Sequence, residues 1–509
     1  MFPRKVKNRS GSISVQIISK ATGRYKVIQT LGTSKDLDEV ERLWQEAQRL
    51  VRADHPDQCL FPFMESETDQ AVQNSIEALT NASIRTIGPE LIFGTLFDRI
   101  GFNQIPDDFF RHLVITRLAY PTSKLKTIDY LYRYTRKSLS ISALYRSLDQ
   151  LLPYKSTIEQ IVYEHTHKRL GQVSVVFYDM TTLHFEAEDE DDLRKIGFSK
   201  DGKFQSPQIM LGLLVGEKGL PLGYDLFEGN TFEGHTLLPI LEQIQNNHGL
   251  QKPIVVADAA MLSKSNLKQL TSTDYQFILG ARIKNESEVI KQEILEKSCH
   301  MNNGDSIVLA RPDETRLIVT YSKTRAQKDA KNRDKGLCRL EKQMKSGRLT
   351  KQHINNRGYN KFLQMTGDVS ICIDENKVKH DQKWDGLKGY LTNSTLTPSQ
   401  VIENYSHLWQ IEKAFRISKT DLRIRPVYHY RKRRIEAHLC VAFAAYAIYK
   451  ELEMLLQKKS INMSAKRAGE LTHNMYQIQY TLPDSKQQKQ QILTMDHEQQ
   501  ILFETVHEP

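Results

Sequence analysis

The run VSVVFYD, residues 173–179, does most to limit what this chain can fold into. Nearly continuous β-branched and aromatic residues suit a strand covered on both faces, and such strands belong to sheets flanked by helices. PIVVAD, ending on Asp258, and YQFILGA repeat the pattern. Between them, PQIMLGLLV and LPLGYDLF are joined by Gly216-Glu217-Lys218-Gly219 and read as a hairpin, and helical texture runs from about His235 to Asn247 and from Ser263 to Leu270. Adjacent strands followed by helix and strand in alternation predict an α/β mixed sheet. Asp179 and Asp258 each close an apolar run, at the carboxyl ends of strands where the sites of open α/β sheets collect.

A third acid stands far along the chain. Thr397, Pro398 and Gln400 form a capping-box start, and Val401, Tyr405, Leu408, Ile411 and Phe415 then recur at helical spacing. Tyr405, Glu412 and Lys419 are seven residues apart, which puts hydroxyl, carboxylate and ammonium on one predicted stripe. From Arg416 to Arg434 there are eight Lys or Arg and one acid, Asp421, a field suited to a polyanion. Taken alone, each acid reads more simply as a turn or surface residue. Taken together, Asp179, Asp258 and Glu412 could hold two divalent cations: hard Mg²⁺ or Mn²⁺ ions want carboxylate oxygens, and a pair stabilises both the attacking and the leaving oxygen in phosphoryl transfer.

The 509 residues allow about three domains. With 39% hydrophobic and 26% charged residues the composition is that of a globular protein, and the apolar run Leu439–Tyr449 is too short to span a membrane. No apolar stretch follows MFPRKVKNRSGS, so no signal peptide is expected. Cys59, Cys299, Cys338, Cys372 and Cys440 show no C-x-x-C pairing, which argues against a disulfide framework or thiolate zinc site and fits a reducing cytoplasm. The net charge of +10 favours an acidic partner, nucleic acid foremost.

The remaining texture divides the chain into an N-terminal β-hairpin unit (1–35, turning at Ala21-Thr22-Gly23), an all-helical module that could touch DNA (36–170), a first core part (171–284), an inserted basic, partly β domain (285–384), a second core part (385–460) and a helical or disordered tail (461–509). Within the insertion, Lys323 to Arg357 carries twelve Lys or Arg against three acids and reads as a basic, mobile segment. The acidic run Glu186–Asp192 reads as a solvated loop, and His184, His235 and His300 as ordinary polar residues. Trp384 and Trp409 could stack on an unpaired base, although core packing suits Trp409 better at its helical position.

FYDMTTLHF around Asp179, GFSKDG with PQIMLGLLV and GLPLGYDLFEGNT, IVVADAAMLSKSNL around Asp258 and YSHLWQIEKAFRISKTDLRIRPVYH around Glu412 resemble the DDE transposases of bacterial insertion sequences, in particular the 1634-type branch of the insertion-sequence-4 superfamily. The resemblance covers about residues 171–450. It implies an RNase H-like core with a β-rich insertion, catalytic and metal-binding roles for Asp179, Asp258 and Glu412, two Mg²⁺ or Mn²⁺ ions, and phosphate contacts from Tyr405 and Lys419. The family helix carries an Arg where this chain has Leu408; Arg416, one turn beyond Glu412, is the expected replacement, with Arg423 and Arg425 completing the DNA-binding set.

The implied activity is cleavage of insertion-sequence ends and transfer of the freed 3′-hydroxyl into target DNA. The implied partners are double-stranded DNA, as terminal inverted repeats and target, and a second copy of the chain; the implied setting is the bacterial cytoplasm, at the nucleoid when DNA-bound, with no membrane association. A metal-dependent nuclease or resolvase on the same fold, cutting without joining, and a non-catalytic transposase-derived DNA-binding protein are the rival readings.

Overall fold

The computed structural model describes the chain except residues 21–24, 54–72, 75, 78, 81–82, 187–188, 199–201, 203–204, 250–251, 260–263, 312, 348, 350–352, 356, 367–369, 483–484 and 509. The expected Ala21-Thr22-Gly23 turn lies outside the described residues, as do parts of the acidic run, of GFSKDGKF and of the stretch after Asp258. The chain forms two compact units, Met1–Ser83 with Gln479–Gln490, and Ile84–Ile478 with Gln491–Pro509.

In the first unit, strands β1 (Phe2–Lys7), β2 (Ile13–Ser19) and β3 (Lys26–Ser34) form an antiparallel sheet. Helix α1 (Leu37–Ala53) packs on it through Val40 and Ala47 against Val15 and Ile17. The expected hairpin is thus the β2–β3 part of a larger unit. The helix that the sequence assigns to a following module is the cover without which a lone sheet would leave its apolar face wet.

The second unit opens with the short strand β4 (Ile84–Thr86) and helices α2 (Thr95–Ile100), α3 (Asp108–Ala119), α4 (Lys124–Thr135), α5 (Ile141–Leu151) and α6 (Lys155–Leu170). Asp107, Ser123 and Ser140 cap three of these by accepting backbone N–H bonds, so the helix starts follow from local sequence. There follow β5 (Val175–His184), β6 (Gln208–Val215), β7 (Pro221–Glu228), α7 (Leu237–His248), β8 (Ile254–Ala257), α8 (Lys264–Ser272), β9 (Phe277–Ala281), α9 (Glu288–Ser298), β10 (Ser306–Ala310), β11 (Arg316–Tyr321), α10 (Lys323–Lys345), β12 (Leu363–Thr366), β13 (Ser370–Ile373), α11 (Glu375–Gln382) and β14 (Leu387–Thr392).

Among the described residues one sheet has the order β10-β11-β14-β9-β8-β5-β6-β7. β5, β8 and β9 run parallel and the remaining pairs are antiparallel, so the sheet is mixed as expected. Alternation along β5 sorts its side chains. Val175, Phe177 and Leu183 join the core that also holds the long apolar helix α14 (Lys432–Lys458), whereas Val176, Tyr178 and Met180 join the opposite core with Leu237, Ile240 and Ile244 of α7. Both faces are covered, which is why VSVVFYD lacks a polar face.

Three expectations need correction. β10 and β11 extend the main sheet through β14, so they belong to it and not to a separate inserted domain. Much of the basic segment is the 23-residue helix α10. Lys, Arg, Ala and Gln are good helix formers without any apolar stripe, and Arg333 anchors this helix through paired bonds to Asp385 of 2.6 Å each. The tail, expected to be helical or disordered, does end in helix His497–His507 but also holds strands Tyr476–Thr481 and Gln488–Ile492.

Candidate active site

The parallel register pairs Tyr178 with Ala257, so Asp179 and Asp258 are the next residues on neighbouring strands. Strand spacing places their backbones roughly 5 Å apart. By alternation both leave the sheet on the α14 side. Asp179 is not at a strand end as the sequence suggests: β5 continues to His184 because β6 pairs with it that far, while the parallel partner β8 stops at Ala257. Asp258 does follow the last residue of its strand and is exposed. Its Oδ1 accepts from the Ala259 N–H at 2.7 Å and from the Tyr405 hydroxyl at 3.3 Å.

Tyr405 reaches Asp258 because its helix, α12 (Pro398–Ser406), is started by the Thr397–Gln400 capping box and buries Val401 and Tyr405. Its ring meets Tyr390 edge-on at 4.9 Å. Burial, then the charge of Asp258, raises the hydroxyl above the ordinary tyrosine value, which keeps it a donor. Gly280 on β9 makes room: a Cβ there would stand 2.5 Å from the Tyr405 oxygen.

The expected single helix is broken. The N–H of Leu408 bonds Tyr405 O and that of Ile411 bonds Leu408 O, a tightened step that separates α12 from α13 (Trp409–Arg416). A wide turn, Ile417–Asp421, then follows α13. The heptad spacing of Tyr405, Glu412 and Lys419 therefore does not make one continuous stripe. α13 packs on β5 by burying Ile411, Ala414 and Phe415, and leaves Glu412 exposed. Trp409 is 53% exposed and Trp384 4%, which reverses the roles expected for the two.

Lys388 on β14 escaped the sequence reading. Its ammonium lies 4.4 Å from the centroid of the Tyr405 ring and 5.2 Å from that of Tyr390. Burial, then Arg325, pulls its pKa down, and Asp258 and Glu412 pull it back up, so it shares the field of both acids. Its alternation with Tyr390 in LKGYLT was readable, but nothing there marks the face as a site.

Asp179 and Asp258 are thus neighbours across β5 and β8, and Glu412 acts with Asp258 on Tyr405 and Lys388. Among the described residues, no three Asp, Glu, His or Cys side chains are drawn tightly enough to hold a metal ion. The donor types, carboxylate oxygens only, fit Mg²⁺ or Mn²⁺. Arg416 is exposed at the end of α13, in the field of Tyr449, which bonds Asp421 at 3.0 Å. Arg423 and Arg425 line a different cavity, beside Lys124.

The sequence matches the family described as Transposase DDE domain over residues 171–448. That is more than half of the chain, and the protein belongs to this family of DDE transposases, enzymes that cut and rejoin DNA. No curated protein matches the sequence. Among solved structures, similarity extends to a piggyBac transposase synaptic complex with hairpin DNA, with 10% identity, 76% of each chain covered and a TM-score of 0.39. A Mos1 transposase paired-end complex with the left transposon end matches at 10% identity over 34% of this chain and 58% of that one, with a TM-score of 0.16. A Mos1 paired-end complex with Mn matches at 11% identity over 46% and 72%, with a TM-score of 0.15. Among the described residues no helix is long and apolar enough to cross a membrane.

Proposed function

We propose that Asp179, Asp258 and Glu412 are the catalytic carboxylates of a transposase of the insertion-sequence-4 type, 1634 branch, built on an RNase H-like core. The fold reading is supported by the antiparallel run β7-β6-β5 continuing into the parallel strands β8 and β9. The site reading is carried by one observation above all: Asp179 and Asp258 follow a register pair on one face, with the Tyr405 hydroxyl bonded to Asp258 and in the field of Glu412.

The three carboxylates would hold two Mg²⁺ or Mn²⁺ ions, which when bound supply Lewis-acid stabilisation of the attacking and leaving oxygens. The protein's own part is positional and electrostatic. Tyr405 fixes the orientation of Asp258, leaving Oδ2 available as a ligand. Lys388 offsets the clustered negative charge and can meet a non-bridging phosphate oxygen. Lys419, Arg416, Arg423 and Arg425 contact DNA phosphates. Water attack frees a 3′-hydroxyl at the element end, and attack by that hydroxyl on a target phosphodiester exchanges one P–O bond for another. Terminal inverted repeats and a homodimer on DNA complete the reading, since two ends must be joined together.

The test uses labelled duplexes carrying the inverted repeats that flank the reading frame. Full-length protein with Mg²⁺ should nick them and join them to target DNA, and Asp179→Asn, Asp258→Asn and Glu412→Gln should each abolish both steps. Cutting without joining would leave the nuclease reading, and unaltered cutting by all three variants would remove these residues from the chemistry.

A further inference from the structure

Outside the carboxylate cluster, a cavity of about 540 Å³ is lined by Arg117, Lys124, Arg423, Arg425, His429 and His438, and among its described lining residues there is no Asp or Glu. That size is within the range of small-molecule sites. Arg117, Lys124, His429 and His438 are 5%, 6%, 8% and 6% exposed. Cations are rarely buried to this degree unless paired.

Their partners are few. One Arg117 nitrogen donates to the carbonyls of Leu422 and Arg423 at 3.4 and 3.3 Å, the other faces His438 Nδ1 at 3.5 Å, and Nε is buried with no hydrogen-bond partner. His438 Nε2 lies 3.0 Å from the carbonyl of Ile424, so it carries the proton and Nδ1 accepts from Arg117. The nearby acid, Asp149, is engaged by Arg433 and Arg434 at 2.9 and 2.7 Å. The shifts agree with an unneutralised site. Burial lowers Arg117 to about 10; burial and Arg117 lower Lys124; burial, then Lys124 and Arg117, lowers His429 to about 4.

We propose that this cavity is an anion site for a phosphoryl group, with Arg117 and Lys124 at its base and Arg423 and Arg425 at its rim. Phosphate oxygens would meet the Lys124 ammonium and the guanidinium groups of Arg423 and Arg425, and their charge would offset the repulsion that the buried Arg117 adds from behind. The rim belongs to the segment that follows Lys419, so a phosphodiester of bound DNA is one source. Free inorganic phosphate is the other.

The experiment uses the full chain and requires no cleavage, so its failure is separable from failure of the catalytic reading. Melting is followed in sodium phosphate and in sodium chloride at equal ionic strength, and the salt dependence of DNA-end binding is recorded alongside. For wild type, phosphate should raise Tm. Lys124→Met should raise Tm without phosphate, weaken the phosphate response at least tenfold and reduce the log–log salt slope of DNA binding by about one. Arg423→Gln, on the exposed rim, gives the same readouts if the Lys124 variant does not fold. Loss of the phosphate response with an unchanged DNA slope assigns the site to free phosphate. Phosphate response and DNA slope both unchanged in the variants would overturn the proposal.

Discussion

The acid end of the sheet and the cation-lined cavity are charge clusters of opposite sign, and they handle charge differently. Asp258 and Glu412 are exposed, so water screens their repulsion, while Tyr405 bonds Asp258 and Lys388 shares the field of both acids. Arg117 and Lys124 are buried with little compensation and depend on what enters the cavity. Substitutions at the first cluster should therefore change chemistry with little effect on stability, and those at the second should change stability and binding together.

The largest effect is expected for Asp258→Asn. Cleavage of element ends should fall by about 10³-fold or more, while the midpoint of urea unfolding stays near that of wild type because the residue is exposed. A large loss of stability would erase the contrast. Lys388→Met comes next, with cleavage reduced about 100-fold and the pH–rate profile kept in shape, a loss typical of one oriented donor; full activity would remove Lys388 from the site.

Glu159 sharpens the comparison from outside both clusters. It is 3% exposed, Lys155 is 3.7 Å away, and burial raises its pKa to about 7. The folded protein then holds a proton that the unfolded chain releases, so stability falls as pH rises from about 4.5 to about 7. Glu159→Gln should remove that slope and stabilise the protein at pH 8 by about 3 kcal/mol in denaturant titrations. An unchanged slope would mean the carboxylate is solvated. His429 works in the opposite sense: its folded pKa is depressed to about 4, so its contribution is lost as pH falls from about 6.5 through 4. Tyr405→Phe should have the smallest effect, about tenfold in activity and Mn²⁺ affinity, as for loss of a group that orients a ligand.

Much of the acid cluster was legible because each acid lies in or beside an apolar run whose burial is dictated by its own composition. The aspartates adjoin VSVVFY and IVVA, and Glu412 lies on a helix whose apolar spacing gives its buried face. What periodicity could not convey was the step at His407–Leu408 and the wide turn after Arg416, which depend on packing against β5 and so break the expected Tyr405–Glu412–Lys419 stripe. The place of β10 and β11 in the main sheet is not legible in the sequence because an antiparallel pair reads alike in a separate domain and at the rim of a large sheet. Helical texture places Arg117 and Lys124 on the module that could touch DNA without showing whether they are solvated; their burial arises from the Leu422–His438 segment, more than three hundred residues away along the chain for Arg117.

The convergence of Asp179, Asp258 and Glu412 is tested most directly by titrating the full chain with Mn²⁺ and counting bound ions by electron paramagnetic resonance. Two ions per chain are expected for wild type, with affinity lowered at least tenfold in each of Asp179→Asn, Asp258→Asn and Glu412→Gln. Wild-type stoichiometry and affinity in all three variants would contradict the shared site.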